Sequence, residues 1–158
     1  MKTVNVFFCG TGGQGVLKAA EICAIAAMHE GFHVKKSEVH GMAQRGGSVE
    51  SHVRFGDEVF SPLIPDGDAD VMVGFDGPES ARLKGIMKEG GIDITPALVK
   101  AGTVIKSPIF INTFMLGVLS NHTPISEKSW LSALHEVFAG KKEAENERVF
   151  RAAREIAA

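Results

Sequence analysis

A glycine-rich loop constrains the fold of this chain most. Residues 10–15 read GTGGQG, and they lie between the apolar run 4–9 and the apolar positions of segment 16–22. This order is typical of a β-strand, a tight turn and an α-helix. In the dinucleotide-binding fingerprint, Gly10 would turn the chain, Gly12 would let the backbone approach a phosphate, and Gly15 would let the helix pack against the strand.

Two interpretations of the loop stay open at this point. The N-terminus of the following helix would attract an anion, which favours a ligand that carries phosphate. Glycine loops also occur at first strand-to-helix turns where nothing binds, which favours a purely structural turn. The candidate binding residues of the loop are Gly10, Gly12, Gly13, Gln14 and Gly15.

The order of the elements predicts the fold class. An apolar stripe over 16–30 predicts a helix, Gly31 ends it, and 32–36 predicts a second strand, which together form a βαβ unit. Alternating residues over 48–55, a Gly-Asp turn and residues 58–60 predict a β-hairpin. We therefore expect an α/β, Rossmann-like, mostly parallel sheet flanked by helices, with an inserted β-hairpin, in one domain over residues 1–158.

The second half of the chain predicts one more strand-helix unit and a helical end. Residues 70–75 read as a strand, and Gly90 and Gly91 would end the helix that follows it. A further strand is predicted at 92–95, and Ser126 is a suitable N-cap. The predicted helices are 78–88, 109–119, 127–139 and 142–157.

A second polar and glycine-flanked segment, 37–47, is predicted to be an exposed loop at the carboxyl end of the second strand. Ligands of open α/β sheets bind at that end, and dinucleotide enzymes place an acidic residue there for the ribose. Glu38 occupies the corresponding place, and an arginine can bind a phosphate or a carboxylate in a bidentate manner. A plain carboxylate at the edge of the loop is the favoured interpretation of Glu38, and functional and surface roles both stay open for the rest of the loop. The candidate residues here are Glu38, His40, Arg45, Gly46 and Gly47.

Composition limits the possible partners. A net charge of −2 and an isoelectric point near 6.3 give no basic footprint for nucleic acid. No apolar run is long enough for a membrane span, so we expect a cytoplasmic protein.

Cys9 and Cys23 fall on apolar stretches and are expected to be buried, reduced thiols that cannot by themselves hold a four-ligand cluster. His52 is expected to be an exposed strand residue without a catalytic partner.

Several segments together carry a resemblance to a known family. They are the glycine loop 10–16, the arginine and double-glycine loop 37–49, and segments 67–75, 112–117 and 146–150. With them, nearly the whole chain resembles the gamma-type subunit of 2-oxoacid:ferredoxin oxidoreductases. The loop 37–49 is most similar to that of the beta subunit of indolepyruvate:ferredoxin oxidoreductase.

The resemblance implies a complex that decarboxylates an aryl or related 2-oxoacid on thiamine diphosphate, passes electrons through iron–sulfur clusters to ferredoxin, and forms acyl-coenzyme A. Gly67-Asp68-Ala69 departs from the thiamine diphosphate signature at its third position, and the chain has no ferredoxin-like cysteine run. The resemblance therefore assigns those cofactors to a large catalytic partner chain. This chain would complete the complex, close over the catalytic site, or bind part of coenzyme A through the glycine loop. Segment 91–112 is shorter than in the family, which leaves the 2-oxoacid open.

Two other functions fit the same residues. The chain could be a free-standing dinucleotide-binding, Rossmann-like protein that uses the glycine loop and Glu38. It could also be an interaction domain with an empty loop. A complex subunit predicts co-purification with a large chain, a dinucleotide binder predicts affinity in isolation, and an interaction domain predicts neither nucleotide binding nor chemistry.

Overall fold

A five-stranded sheet forms the centre of the molecule. The computed structural model describes residues 2–40 and 46–156. The strands are β1 (Val4–Thr11), β2 (His33–His40), β3 (Ser48–Gly56), β4 (Ala69–Gly74) and β5 (Met87–Asp93). The helices are α1 (Val16–His29), α2 (Gly77–Arg82), α3 (Ile111–Ser120), α4 (Glu127–Val137) and α5 (Glu143–Ala153). Short 3-10 helices cover Lys84–Ile86, Thr95–Thr103 and Pro108–Phe110.

The strand order confirms the mostly parallel α/β class. The order across the sheet is β2-β3-β1-β4-β5. β4 is parallel to both β1 and β5, whereas β3 is antiparallel to both β1 and β2. In this sheet, four strands therefore point the same way, and β3 alone points in the opposite direction.

The inserted antiparallel pair is formed by β2 and β3. The predicted hairpin over 48–60 is therefore wrong in its second strand, 58–60. Residues 58–60 are not in a strand. β2 instead continues to His40, because β3 supplies partners such as Ser51 for Glu38 and Val49 for His40. The start of the predicted loop 37–47 is thus an exposed edge strand, where polar side chains are readily accommodated.

The predicted helix 78–88 is wrong after its first turns. α2 ends at Arg82, a 3-10 turn follows, and β5 begins at Met87. Gly90 and Gly91 lie within β5 rather than at a helix end. A Cβ on Gly91 would lie 3.0 Å from the Ala69 carbonyl oxygen, so the close approach of the β4 backbone explains the glycine.

The main core lies between one face of the sheet and α1, α3, α4 and α5. Trp130 and Phe150 are fully buried there with their ring centroids 5.9 Å apart. The predicted buried helix and the two C-terminal helices are confirmed, and the Ser126 hydroxyl accepts the N–H of Ser129 as an N-cap. No helix in the described part of the chain has the length and apolar character that a membrane span requires.

The prediction of buried thiols is confirmed. Cys9 and Cys23 are both free and inaccessible to solvent. Burial raises the pKa of the Cys9 thiol to about 11, and burial also raises the pKa of Cys23. Both groups are therefore protonated and unreactive at neutral pH.

A smaller apolar cluster covers the other face of the sheet, and it changes the interpretation of His52. The cluster includes Phe7, Met72 and Ile64, the last from segment 57–68, which follows β3. His52 lies against Phe7 and is 5% exposed, so the prediction of an exposed histidine is wrong. The cause is tertiary: the Ile64 N–H donates to His52 Nδ1 at 3.0 Å and holds segment 57–68 over the ring.

We expect His52 to make the folding stability depend on pH. Burial and the nearby Arg54 charge lower the pKa of His52 below its ordinary value, so the native chain holds the neutral ring. The unfolded chain then binds more protons as the pH falls through about 6.5, and stability is lost in that direction by up to about 1.4 kcal/mol per pH unit.

Chemical denaturation between about pH 8 and about pH 5, the range in which a histidine titrates, measures this contribution. The loss of stability should be smaller in His52→Asn, whose side-chain oxygen can accept the same N–H. Identical pH dependence in the wild type and His52→Asn would show that His52 does not cause it.

Candidate functional site

The glycine loop is a compact turn that Gly10 and Gln14 build together. The Gln14 side-chain oxygen accepts the N–H of Thr11 at 2.7 Å and occupies the space beside Gly10. A Cβ on Gly10 would lie 2.6 Å from that oxygen and 2.8 Å from a methyl carbon of Val16. The glycine at position 10 is therefore required for packing, because any side chain would displace Gln14 or the start of α1.

The first turn of α1 opens on this loop without a side-chain cap. Gly15, the N-cap residue, has a left-handed backbone with φ of 88°, and no acidic residue lies in the first turn. The N–H groups at the start of a helix have no acceptor inside the helix. Lys18 is exposed in the same turn, so the positive end of the helix dipole and a positive side chain lie together. Such an arrangement attracts an anion.

A cavity of about 300 Å³ lies beside the loop. Its walls come from the loop, from the first turn of α1, from the end of β2 and from the start of β3. The lining residues are Thr11, Gly12, Gly13, Gly15, Val16, Leu17, Lys18, His40, Gly47, Ser48 and Val49. The cavity is large enough for part of a nucleotide-like ligand rather than for the whole of one.

Several of the residues predicted from sequence come together at this cavity. Gly12, Gly13, Gly15, His40 and Gly47 line it. The Gly12 N–H donates to the Gly47 carbonyl oxygen at 3.0 Å, which joins the two glycine segments.

The other predicted residues differ in their position. Gly10 and Gln14 shape the loop from behind, and Gly46 adopts φ of 68° near Gly12. Arg45 lies outside the described residues.

Glu38 is placed differently from the ribose-binding acid of a dinucleotide fold. It is not among the described residues that line the cavity, and β3 separates its strand from β1. Its carboxylate lies 3.1 Å from Lys36 Nζ and 3.7 Å from His40 Nε2. The hydrogen bond from Lys36 is the main cause that lowers the Glu38 pKa, and His40 adds to it. Glu38 thus forms part of a charged edge strand beside the site.

Six of the described residues that line the cavity were not predicted from sequence: Thr11, Val16, Leu17, Lys18, Ser48 and Val49. Lys18 could have been found from its place in the first turn after the loop, where a cation beside helix amides suits an anion. Ser48 had no such signal, because its position depends on the pairing of β3 with β1 across the sheet. The Ser48 hydroxyl accepts a hydrogen bond from Arg82 Nη2 at 3.0 Å, which ties β3 to α2.

The segment around Asn112 supports the loop from the helical side. A Cβ on Gly15 would lie 3.3 Å from the Asn112 amide nitrogen, so Gly15 allows α3 to approach the loop closely. Within residues 2–40 and 46–156, no three histidine, cysteine, aspartate or glutamate side chains come together as metal ligands would. The chemistry that the glycine loop, the first turn of α1 and Lys18 offer is the binding of an anionic group.

The chain is similar to named subunits of oxidoreductases. Over 97 residues it is 45% identical to the indolepyruvate oxidoreductase subunit IorB of Pyrococcus horikoshii. The matched region covers 61% of this chain and 48% of that protein. This chain is 29% identical to the pyruvate synthase subunit PorC of Methanothermobacter thermautotrophicus, with 87% of each chain covered. The chain thus spans about half the length of the IorB relatives and nearly the full length of PorC.

Solved structures share the fold. The pyruvate oxidoreductase subunit PORC of Thermotoga maritima superimposes with a TM-score of 0.75 at 24% identity, over 98% of this chain and 97% of that one. A chain of the 2-oxoglutarate:ferredoxin oxidoreductase of Magnetococcus marinus, solved with 2-oxoglutarate, coenzyme A and succinyl-CoA bound, gives a TM-score of 0.82 at 23% identity. The match covers 98% of this chain and 31% of that chain.

A family model gives the broadest assignment. The model described as pyruvate ferredoxin/flavodoxin oxidoreductase matches residues 5–104. This span contains β1 from its second residue, the glycine loop, the other four strands and all the described residues that line the cavity. The chain therefore belongs to the pyruvate ferredoxin/flavodoxin oxidoreductase family.

Proposed function

We propose that this chain is the gamma-type subunit of a 2-oxoacid:ferredoxin oxidoreductase, and that its glycine loop binds a phosphate group of the substrate coenzyme A. A larger catalytic subunit would hold thiamine diphosphate and the iron–sulfur clusters and would deliver electrons to ferredoxin. The similarity to IorB favours indolepyruvate or another aryl 2-oxoacid as the acid that is oxidised. The assembly would work in the cytoplasm, where the two buried thiols stay reduced.

Exposed apolar side chains support the need for a partner. Phe60 is 82% exposed, Val99 is 86% exposed and Ile109 is 60% exposed. Contiguous apolar surface marks positions that a second protein covers, and Leu63, on the same segment as Phe60, is also half exposed. Phe60 lies in segment 57–68, whose backbone is held by Arg54 through bonds to the Ser61 and Leu63 carbonyl oxygens at 2.9 and 3.1 Å.

The uncapped start of α1, open on a cavity of about 300 Å³, is the observation that carries the role in coenzyme A binding. Coenzyme A bears a diphosphate and a further ribose phosphate, and each of these anions suits free helix amides beside a lysine. Gly13 fits this role because nothing lies within 4 Å of the place a Cβ would take. When bound, coenzyme A supplies the thiol that accepts the acyl group. The residues of this chain would only hold and orient it.

A matched pair of glycine substitutions tests the proposal. Gly13 and Gly31 have φ of 93° and 94°, and both have open space around them. Valine at either position imposes similar backbone strain, but only Gly13→Val places a side chain in the cavity. We expect Gly13→Val to weaken coenzyme A binding by the intact complex about tenfold or more, and Gly31→Val to leave it unchanged.

Calorimetry of the purified complex with coenzyme A gives the affinities, and the same titration with NAD and NADP on the isolated chain tests the dinucleotide alternative. Unchanged affinity for coenzyme A in a folded Gly13→Val complex would contradict the role of the loop. Tight binding of NAD or NADP by the isolated chain would favour a dinucleotide-binding protein instead.

A further inference from the structure

A second cavity, of about 290 Å³, lies on the face of the sheet opposite α1. It is bounded by Glu50 of β3, Phe7 of β1, Arg82 at the end of α2, and the residues Asp66, Leu83 and Ile86 that follow these elements. One side is apolar, because Phe7, Leu83 and Ile86 belong to the smaller apolar cluster. The cavity is separate from the glycine loop, and nothing in the proposed function uses it.

Glu50 is the notable polar group of this cavity. Its side chain is only 22% exposed, and desolvation raises the pKa of the carboxyl group. Among the residues that the structure describes, the side chain that forms an ion-pair contact with Glu50 is His52, whose Nε2 lies 3.9 Å from the carboxylate, beyond hydrogen-bond distance. A half-buried carboxylate without a close donor is costly, and such a group is stabilised when a cation reaches it.

His52 cannot supply that cation. Its Nδ1 accepts the Ile64 N–H, so Nδ1 carries no proton and the neutral ring carries its proton on Nε2. The His52 side chain is 7% exposed, and its Nε2–H group faces the Glu50 carboxylate. A histidine in this state contributes a dipole near Glu50 but no positive charge.

The charge of Arg82 acts on Glu50 and lowers its pKa, but the guanidinium makes its hydrogen bonds with other groups. Its Nε and Nη2 atoms each donate to the Glu79 carboxylate at 3.0 Å in a bidentate pair. Nη2 also donates to Ser48. The positive charge of Arg82 is thus matched by Glu79, and Glu50 together with the exposed Asp66 leaves the cavity with an excess of negative charge.

We propose that this cavity receives a lysine or arginine side chain from a partner chain. The volume suits one long side chain, the apolar wall suits its methylene groups, and Glu50 suits the charged end. The charge of the cavity selects a cation over an anion, since like charges brought close together repel. That the occupant belongs to a partner chain rests on the proposed function, whereas the preference for a cation does not.

Titration of the isolated chain with butylguanidinium chloride tests the preference, with the carboxyl resonances of glutamate followed by NMR. We expect saturable shifts centred on Glu50 in the wild type. Glu50→Gln should weaken binding about tenfold or more, and Glu21→Gln, which removes an equal charge at an exposed position of α1, should not weaken it. Glu50→Gln should fold, because it removes a half-buried charge without changing the shape of the side chain.

Equal binding by Glu50→Gln, or equal binding of neutral butanol, would overturn the proposal. Experiments on the intact complex decide the source of the cation. If a partner side chain fills the cavity, saturation-transfer NMR of the complex should show no butylguanidinium contact there. Glu50→Lys should also weaken co-purification with the partner more than Glu21→Lys does. A complex that binds the probe as the isolated chain does would overturn the assignment to a partner. Recovery of no partner would overturn that assignment and the proposed function together, while the titration of the isolated chain would still decide the cation preference.

Discussion

Replacing Gly117 with alanine is expected to lower the free energy of unfolding by about 3 kcal/mol, through overpacking of a buried helix contact. A Cβ at this position would lie 2.5 Å from Ala153 Cβ and 2.6 Å from the Phe150 carbonyl oxygen. Both atoms belong to α5, and one of them is backbone, so neither can move without shifting the helix. The substitution would separate α3 from α5. This cost outweighs the helix propensity in the middle of α3, where alanine is otherwise favoured over glycine by about 1 kcal/mol.

Urea denaturation of Gly117→Ala and Gly77→Ala measures this effect. Gly77 is the first residue of α2, and nothing lies within 4 Å of a Cβ built there. Gly77→Ala should therefore be neutral or slightly stabilising, because alanine reduces the freedom of the unfolded chain. Wild-type stability in Gly117→Ala would show that α3 and α5 do not pack as closely as described.

Replacing Gly74 with alanine should cost about 3 kcal/mol or more, because it combines overpacking with the loss of buried hydrogen bonds. A Cβ on Gly74 would overlap the hydroxyl oxygens of Ser80 and Thr95. These groups form a buried network: the Gly74 N–H donates to Thr95 Oγ1 at 3.0 Å, and the two hydroxyl oxygens lie 3.2 Å apart. The Ser80 hydroxyl also donates to the Asp76 carbonyl oxygen at 3.0 Å.

A double variant identifies the cause of this loss. Ser80→Ala removes the nearest obstructing oxygen, so Gly74→Ala should cost less in a Ser80→Ala background than in the wild type. Gly85→Ala serves as the control, because nothing lies within 4 Å of a Cβ there. Equal costs of Gly74→Ala in both backgrounds would contradict the overlap with Ser80.

Local patterns predicted the elements that depend on local forces. The apolar stripe and the glycine loop gave β1 and α1, and Ser126 marked the start of α4 as it does in the structure. The position of β3 between β1 and β2 could not be predicted in this way, because it depends on pairing between distant residues. Gly90 and Gly91 were misassigned to a helix end for the same reason, since the β4 backbone places them in a strand.

The site was predictable in part. The glycine fingerprint led to Gly12, Gly13 and Gly15, which line the cavity. His52 was misinterpreted because strand alternation places it on the face away from the helices, and sequence gives no sign that segment 57–68 covers that face. Glu38 follows the spacing of a dinucleotide enzyme, but the inserted β3 changes its distance from the loop.

Anaerobic purification of the tagged chain from extracts of its native cells tests the central claim most directly. The eluate would be assayed for iron, for thiamine diphosphate, and for reduction of an electron acceptor that requires both a 2-oxoacid and coenzyme A. We predict a brown eluate with a large partner chain and this activity, with aryl 2-oxoacids among the best substrates. A colourless eluate without a partner and without the activity would contradict the assignment of this chain as an oxidoreductase subunit.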